Sequence, residues 1–360
     1  MSETAIASRR VVWLDILRVF SAFTIVFLHI SAAYLENVVP FGSVNWFITD
    51  LYLAFTRFAV PVFVMISGVF FLSPQKDLTI GQMYKHYIFR ILTVLLGWAV
   101  FRTFLMNVWL EHAPVSAWAA GVFSSVKWYW FLPMIIGLYM MTPVLRALSA
   151  LNNRSVLAYF IVLSFIMALC LPMLENVERF YWPMAIRPSA FTDILKIPCL
   201  VFGAHFVFGY YAYTYDIGPR MKKVLYASAV VSWLLMAGGG YVFWNEKVNP
   251  LYFYFMFGAS LAPFSFLTGA AVFLLAKDWL GKISFSPAAA GFIRRLAYYS
   301  LGVYMLHIIL VELGIHFGVF KALSFCPAIL VPVLAAVLFT LCNGIIAVLY
   351  KIPWFRKYFL

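Results

Sequence analysis

The sequence predicts an all-α, polytopic membrane protein with about ten transmembrane helices and both termini in the cytoplasm. Of its 360 residues, 65% are hydrophobic and only 11% are charged, whereas about a quarter of the residues in soluble domains are charged. Apolar segments of about 20 residues, the length that a helix needs to cross the hydrocarbon core, recur along the whole chain. We therefore expect one transmembrane domain over residues 1–360.

Ten apolar segments are predicted to span the membrane, separated by short polar loops that often contain Pro or Gly. They lie near residues 11–34, 46–72, 86–110, 128–148, 155–174, 197–215, 223–244, 253–276, 297–320 and 328–350. Most Lys and Arg residues fall in the loops on the side of the N terminus. The positive-inside rule therefore places both termini in the cytoplasm.

The net charge of +13 does not indicate a nucleic-acid partner, because the basic residues lie scattered at the ends of apolar segments instead of forming one block. The four cysteines form no C-x-x-C pair, so the sequence supports neither a metal site nor a redox pair. We expect the lipid bilayer as a partner, no nucleic acid, no metal and no permanently bound cofactor.

The first span contains three ionisable residues at a depth where charge is costly. Asp15 and Arg18 are three positions apart, and His29 follows after eleven more, so at 100° per residue all three share one helix face. By the rise of 1.5 Å per residue, His29 lies about 16 Å deeper than Arg18. This face is predicted to be a polar track leading inward. The alternative is an interfacial ion pair and a histidine that hydrogen-bonds to another helix.

The second span contains Arg57, four residues before Pro61, whose ring is expected to kink the helix. The central position of Arg57 makes snorkelling difficult, and an ion pair with Asp50 is the alternative to a functional role. Ser67 and Gly68 follow, and both are small enough for a ligand or another helix to approach closely.

Two further groups of polar residues lie at the predicted ends and faces of helices. The third span opens with KHYIFR, and its Lys85 and Arg90 are suited to binding phosphate groups, although positive-inside residues are the alternative. In the ninth span, Ser300, Tyr304 and His307 are four and three positions apart and share a face. A second buried histidine could orient the first, with ordinary packing as the alternative.

Four motifs resemble those of the acyltransferase-3 family of membrane acyltransferases. LDILRVFSAFTIVFLH resembles the first-helix signature, in which Asp-x-x-Arg precedes an inward histidine, and RFAVPVFVMISGVFF resembles the second-helix motif ending in Ser-Gly. WYWFLPMIIGLYMMTPVL resembles the Trp-Phe-Leu fourth helix, and SLGVYMLH the late Ser-x-Gly-x-Tyr-x-x-His helix. The motifs occur in family order. One departure is the third helix, where many members have Arg-x-x-Arg and this chain has Lys85 and Arg90 five positions apart.

The resemblance implies an enzyme of the bacterial inner membrane that moves an acyl group, commonly acetyl, from cytoplasmic acyl-CoA to a hydroxyl of a cell-surface glycan or lipid-linked sugar. Within the family, the sequence most resembles the compact branch without a fused periplasmic domain, similar to the O-acetyltransferase that modifies enterobacterial common antigen. His29 is implied as the general base or as a transient acyl carrier. The implied catalytic residues are His29, Asp15 and Arg18, and Asp15 is implied to hold Arg18 in place.

The resemblance also implies roles for the other polar residues. The donor-binding residues are expected to be Arg18, Arg57, Lys85 and Arg90, and the acceptor-side or supporting residues Ser67, Trp130, Ser300, Tyr304 and His307. The alternative function is a polytopic small-solute transporter whose buried charges couple ion and substrate movement. Inverted repeats with broken helices would favour the transporter, and no such repeat is evident in the sequence.

Overall fold

The computed structural model describes residues 11–174, 202–245 and 262–359, and in these ranges every regular element is a helix. The main helices are α1 (Val12–Asn37), α2 (Val44–Thr56), α3 (Ala59–Leu72), α4 (Ile80–Leu110), α5 (Trp118–Trp128), α6 (Phe131–Ala150), α7 (Arg154–Leu174), α8 (Gly203–Thr214), α9 (Pro219–Asn245), α10 (Pro263–Leu280), α11 (Pro287–His316) and α12 (Pro327–Leu349). Short helical turns occur at Val115–Ala117, Val319–Ala322 and Pro353–Tyr358. The predicted all-α class is confirmed.

Within the described ranges, seven segments are long and apolar enough to cross a membrane. They are α1, the joined pair α2 and α3, α4, α6, α7, α11 and α12. The chain is therefore a multi-pass membrane protein. Three predicted spans are not among these seven. Helix α9 corresponds to the span near 223–244, and α8 and α10 to the described parts of the spans near 197–215 and 253–276, which begin outside the described residues. The total of ten spans and the cytoplasmic position of both termini stay predictions.

The second predicted span is two helices with a junction at Arg57 and Phe58. The kink expected at Pro61 is displaced to this junction, because Pro61 is the third residue of α3 and belongs to its first turn. The backbone N–H groups of a first turn have no intrahelical acceptor, so proline is tolerated there. Helical bonding resumes directly, with the Val62 N–H donating to the Phe58 carbonyl over 3.0 Å. The break therefore places Arg57 between two helix ends.

Helices α3 and α8 cross in backbone contact and form the most extensive helix pair of the described structure. A β-carbon at Gly68 would clash with the Phe206 carbonyl, and one at Gly209 would clash with the Met65 carbonyl. Only glycine allows both approaches, which is the arrangement that small residues provide in membrane helix packing. Gly68 thus admits another helix, one of the two approaches expected from the sequence.

Two hydrophobic clusters make up the interior of the described structure. One surrounds α3, α8 and α10, and the other surrounds the later half of α1 together with α4, α11 and α12. Ile91, Phe131 and Tyr304 pack against both clusters, and all three also line a cavity. The cavity therefore lies along the seam between the two halves of the core.

Candidate active site

The cavity has a volume of about 430 Å³ and is lined by α1, α3, α4, α6 and α11 together with Lys76 from the loop after α3. Its polar lining consists of three cations and six hydroxyl side chains, namely Arg18, Lys76, Arg90, Ser67, Tyr87, Tyr139, Tyr298, Ser300 and Tyr304. The lining contains no Asp or Glu. A cavity with this charge is suited to an anionic ligand, because three positive charges in a low-dielectric wall reinforce one another's field.

Five residues that the sequence predicted as site residues come together here. Arg18, Ser67, Arg90, Ser300 and Tyr304 lie on four helices, yet all of them line the same cavity. Their convergence depends on how α1, α3, α4 and α11 pack together. The sequence pattern of a single helix does not show that packing.

Lys85 lies elsewhere, with its side chain exposed. The turn Met83–Ile88 at the start of α4 is a π-helix, and Lys85 lies two positions before Tyr87, which does line the cavity. Residues two apart on a helix point in nearly opposite directions. Tyr87 and Arg90 are three positions apart and both line the cavity. Tyr87 was not predicted as a site residue, but its spacing from Arg90 would have placed it on the same face of α4.

Arg18 extends over an aromatic ring at the cavity wall. Its guanidinium carbon lies 5.4 Å from the centroid of the Phe70 ring, within the range of a cation–π contact. Asp15, one turn earlier on α1, is only 1% exposed. A carboxylate at that depth requires a compensating positive or hydrogen-bonding partner.

Two histidines lie one helical turn beyond the inner end of the cavity. Ile25 lines the cavity and His29 follows it by four residues on α1; Tyr304 lines the cavity and His307 follows it by three residues on α11. The two imidazole rings face each other with centroids 5.0 Å apart and an interplanar angle of 55°. The Tyr304 ring lies 5.7 Å from that of His307. A hydroxyl-bearing wall thus leads directly to a pair of imidazoles.

The hydrogen bonding of His307 selects one tautomer. Its side chain is fully buried, and its Nδ1–H donates to the Val303 carbonyl over 3.1 Å. In a neutral imidazole the other nitrogen is then an acceptor. This Nε2 has no hydrogen-bond partner among the described residues. It is therefore a buried acceptor that no described donor satisfies.

Arg57 is placed near His29 and does not line the cavity. Its charge interacts electrostatically with His29, Glu36 and Asp50. Arg57 is 8% exposed and Asp50 is 4% exposed, so the interaction between these two occurs in a medium of low dielectric constant, where it is strong. Arg57 therefore interacts both with Asp50, its predicted alternative partner, and with His29, the catalytic candidate.

Trp130 lies at the corner between α5 and α6, beside the cavity. Its ring is 37% exposed and stacks on Phe202 with centroids 6.3 Å apart. The next residue, Phe131, lines the cavity. At the same corner, the buried Tyr129 hydroxyl donates to the Met305 carbonyl of α11 over 3.3 Å. The corner is thus tied to the helix that carries Tyr304 and His307.

A second buried arginine lies away from the cavity. Arg102 on α4 donates through Nε (2.8 Å) and Nη2 to the two carboxylate oxygens of Glu312 on α11, and through Nη1 to the Ser125 hydroxyl (2.9 Å). Its guanidinium carbon lies 4.9 Å from the centroid of the Trp128 ring. Glu312, Ser125 and Trp128 thus surround the guanidinium, and the pair joins α4, α5 and α11.

Comparison with protein families shows the family of the chain. A family model described as an acyltransferase domain matches residues 11–350. The chain belongs to the acyltransferase-3 family. It is therefore a membrane acyltransferase, and the motifs identified in the sequence are those of its family. Comparison with curated proteins and with solved structures finds no match. Membership of the acyltransferase-3 family does not favour the transporter alternative.

Proposed function

We propose that this acyltransferase moves an acyl group, acetyl in the simplest case, from acyl-CoA bound in the cavity to a sugar hydroxyl held at the histidine pair. The observation that carries the proposal is the cavity itself, which has a cationic lining and ends one turn before His29 and His307. A phosphate-rich nucleotide thioester matches the charge, and its acyl end would reach the imidazoles.

The donor side of the proposal rests on Arg18 and Arg90. Arginine offers a planar fork that matches phosphate oxygens, and both guanidinium groups line a cavity without carboxylates. Arg18 lies about 16 Å from His29 along the axis of α1 by the helical rise. A long, thin group such as the pantetheine arm of coenzyme A suits that separation, with the hydroxyls of Ser67, Ser300 and Tyr304 beside it.

The chemistry is an attack of the acceptor oxygen on the thioester carbonyl carbon. His29 accepts the proton of the hydroxyl as the C–O bond forms; the C–S bond then breaks, and the protonated imidazole of His29 returns that proton to the thiolate. Arg57, whose charge acts on His29, would polarise the carbonyl oxygen as negative charge develops. His307 would orient His29 or the acceptor through its open Nε2. Asp15 supports Arg18 from the preceding turn.

The alternative role of His29 is that of a transient acyl carrier. In that route the imidazole attacks the thioester first and then transfers the acyl group to the hydroxyl. The direct route requires donor and acceptor at the same time, whereas the carrier route leaves a labelled enzyme when the acceptor is absent. We favour the direct route because a second imidazole already lies 5.0 Å from the first and can position the hydroxyl.

The proposed acceptor is a hydroxyl of a cell-surface glycan or a lipid-linked saccharide, and the proposed location is the bacterial inner membrane. Family membership and the multi-pass architecture support this assignment. With the N terminus in the cytoplasm, α1 runs outward from Arg18 to His29, so the acyl group would travel from a cytoplasmic donor towards the outer half of the membrane.

The decisive experiment follows label from [¹⁴C]acetyl-CoA into the glycan and lipid-linked sugar fractions of membranes that contain the full chain. We expect His29→Ala to lower incorporation by about a thousandfold, since a positioned base contributes about 10²–10⁴ in rate. His316→Ala is the matched control, because His316 is exposed at the end of α11. Equal incorporation by wild type and His29→Ala would refute the proposed role of His29, and no labelled saccharide in wild type would refute the proposed acceptor class.

A further inference from the structure

Lys76 lies in the loop after α3 and lines the same cavity as Arg18 and Arg90. Its ammonium nitrogen is 4.6 Å from the centroid of the Phe71 ring and 4.9 Å from that of the Tyr87 ring. These two rings pack edge to face, with centroids 4.9 Å apart. Two cation–π contacts therefore fix the ammonium group beside the cavity without neutralising its charge.

The backbone from the end of α3 to Lys76 is held by two side chains of α6, Arg146 and Ser149. Arg146 donates through Nη1 to the carbonyls of Phe71 and Ser73, each over 2.9 Å, and through Nη2 to the carbonyl of Lys76. The Ser149 hydroxyl donates to the neighbouring Leu72 carbonyl over 2.6 Å. The last carbonyls of a helix lack intrahelical donors, so these bonds both cap α3 and determine the path of the loop.

We infer that Lys76 is a third contact for the phosphate groups of the donor, and that Arg146 is the positioning residue that holds it there. This inference rests on the proposed function, because it assumes a coenzyme A thioester in the cavity. Coenzyme A carries a pyrophosphate and a 3′-phosphate, so two arginines leave a phosphate group that a compact ammonium charge can bind. Lys76 supplies that charge at the part of the cavity wall that Tyr87 also lines.

The inference is tested by binding to the purified full chain in detergent at constant ionic strength, with calorimetry as the readout and coenzyme A, dephospho-coenzyme A and pantetheine as probes. We expect Lys76→Ala to raise the Kd of coenzyme A about tenfold, the loss of one charge-assisted contact, and Lys76→Arg to restore most of the affinity. Lys282→Ala, in an exposed loop, is the matched control and should leave the Kd unchanged. An effect on coenzyme A alone assigns Lys76 to the 3′-phosphate, and an effect on both nucleotides assigns it to the pyrophosphate.

The positioning role of Arg146 is tested in the same assay. Arg146→Ala should weaken coenzyme A binding by a similar factor, with pantetheine binding unchanged, and should add no further loss in the Lys76→Ala background, since residues that act through one another are not additive. The assignment of Lys76 is overturned if the Kd of coenzyme A for Lys76→Ala stays within twofold of wild type, or if pantetheine loses affinity equally. Either result leaves the proposed donor standing. A wild-type chain that binds no coenzyme A overturns the proposed donor as well.

Discussion

Arg18 and Arg102 both lie on membrane-spanning helices, yet Arg102 is buried and Arg18 is only partly buried, and their surroundings differ. The guanidinium of Arg102 is enclosed by Glu312, Ser125 and Trp128, whereas that of Arg18 lines a cavity beside Phe70. Both carry the desolvation cost that makes intramembrane charges rare. The difference teaches that a charge on a membrane-spanning helix is a candidate for ligand binding when it borders a space that a ligand can enter.

Removal of Glu312 should produce the largest loss of stability. Glu312→Ala leaves the Arg102 charge buried without its carboxylate, which is expected to cost about 3–5 kcal/mol of unfolding free energy. Thermal unfolding in detergent micelles measures the effect as a lower midpoint temperature. Glu111→Ala, which removes an exposed acid that accepts from Asn107, is the control. If both variants unfold at the wild-type temperature, the pair is not a structural element.

Removal of Arg18 should instead affect activity. Arg18→Ala is expected to lower kcat/KM for the acyl donor about a hundredfold, as the loss of one buried donor to an anionic group does in other enzymes. The unfolding free energy should fall by less than in Glu312→Ala, because Arg18 is partly exposed to a cavity whereas Arg102 is buried. Kinetics with varied acyl-CoA and the same unfolding measurement separate the two effects. An Arg18→Ala protein that is as unstable as Glu312→Ala would erase the contrast.

Lys85 and Arg90 provide the smallest and most specific test. Arg90→Ala should lower kcat/KM for the donor about tenfold through the loss of one phosphate contact, and Lys85→Ala should stay within about twofold because its side chain is exposed outside the cavity. Each variant controls for the other, since both remove one charge from the start of α4. Equal losses would mean that the donor also contacts the exposed face of α4.

The helical phase of α1 was the most informative feature of the sequence. Arg18 and His29 were predicted to share a face, and the structure places one in the cavity lining and the other one turn beyond Ile25 of that lining. Periodicity fixes the direction of a side chain about its own helix axis. It cannot show where a cavity ends, because that depends on the neighbouring helices.

Other site residues lacked a sequence signal of their own. Lys76 is in a loop, where no period applies, and its position depends on the Arg146 contacts from α6. Lys85 was predicted from its place in the basic stretch KHYIFR, which does not show which of these side chains lines the cavity. The junction at Arg57 was expected four residues later at Pro61, because a proline can begin a helix as well as kink one.

The glycine contact between α3 and α8 has a consequence for biogenesis. Gly68 and Gly209 are separated by about 140 residues of chain, and ribosomes add about 5–20 residues per second, so α8 emerges roughly 7 to 28 s after α3. During that interval the surface of α3 around Gly68 contacts lipid or a neighbouring helix. The crossing that supports Ser67 is therefore completed late, after the helices that carry Arg18 and Arg90 have entered the membrane.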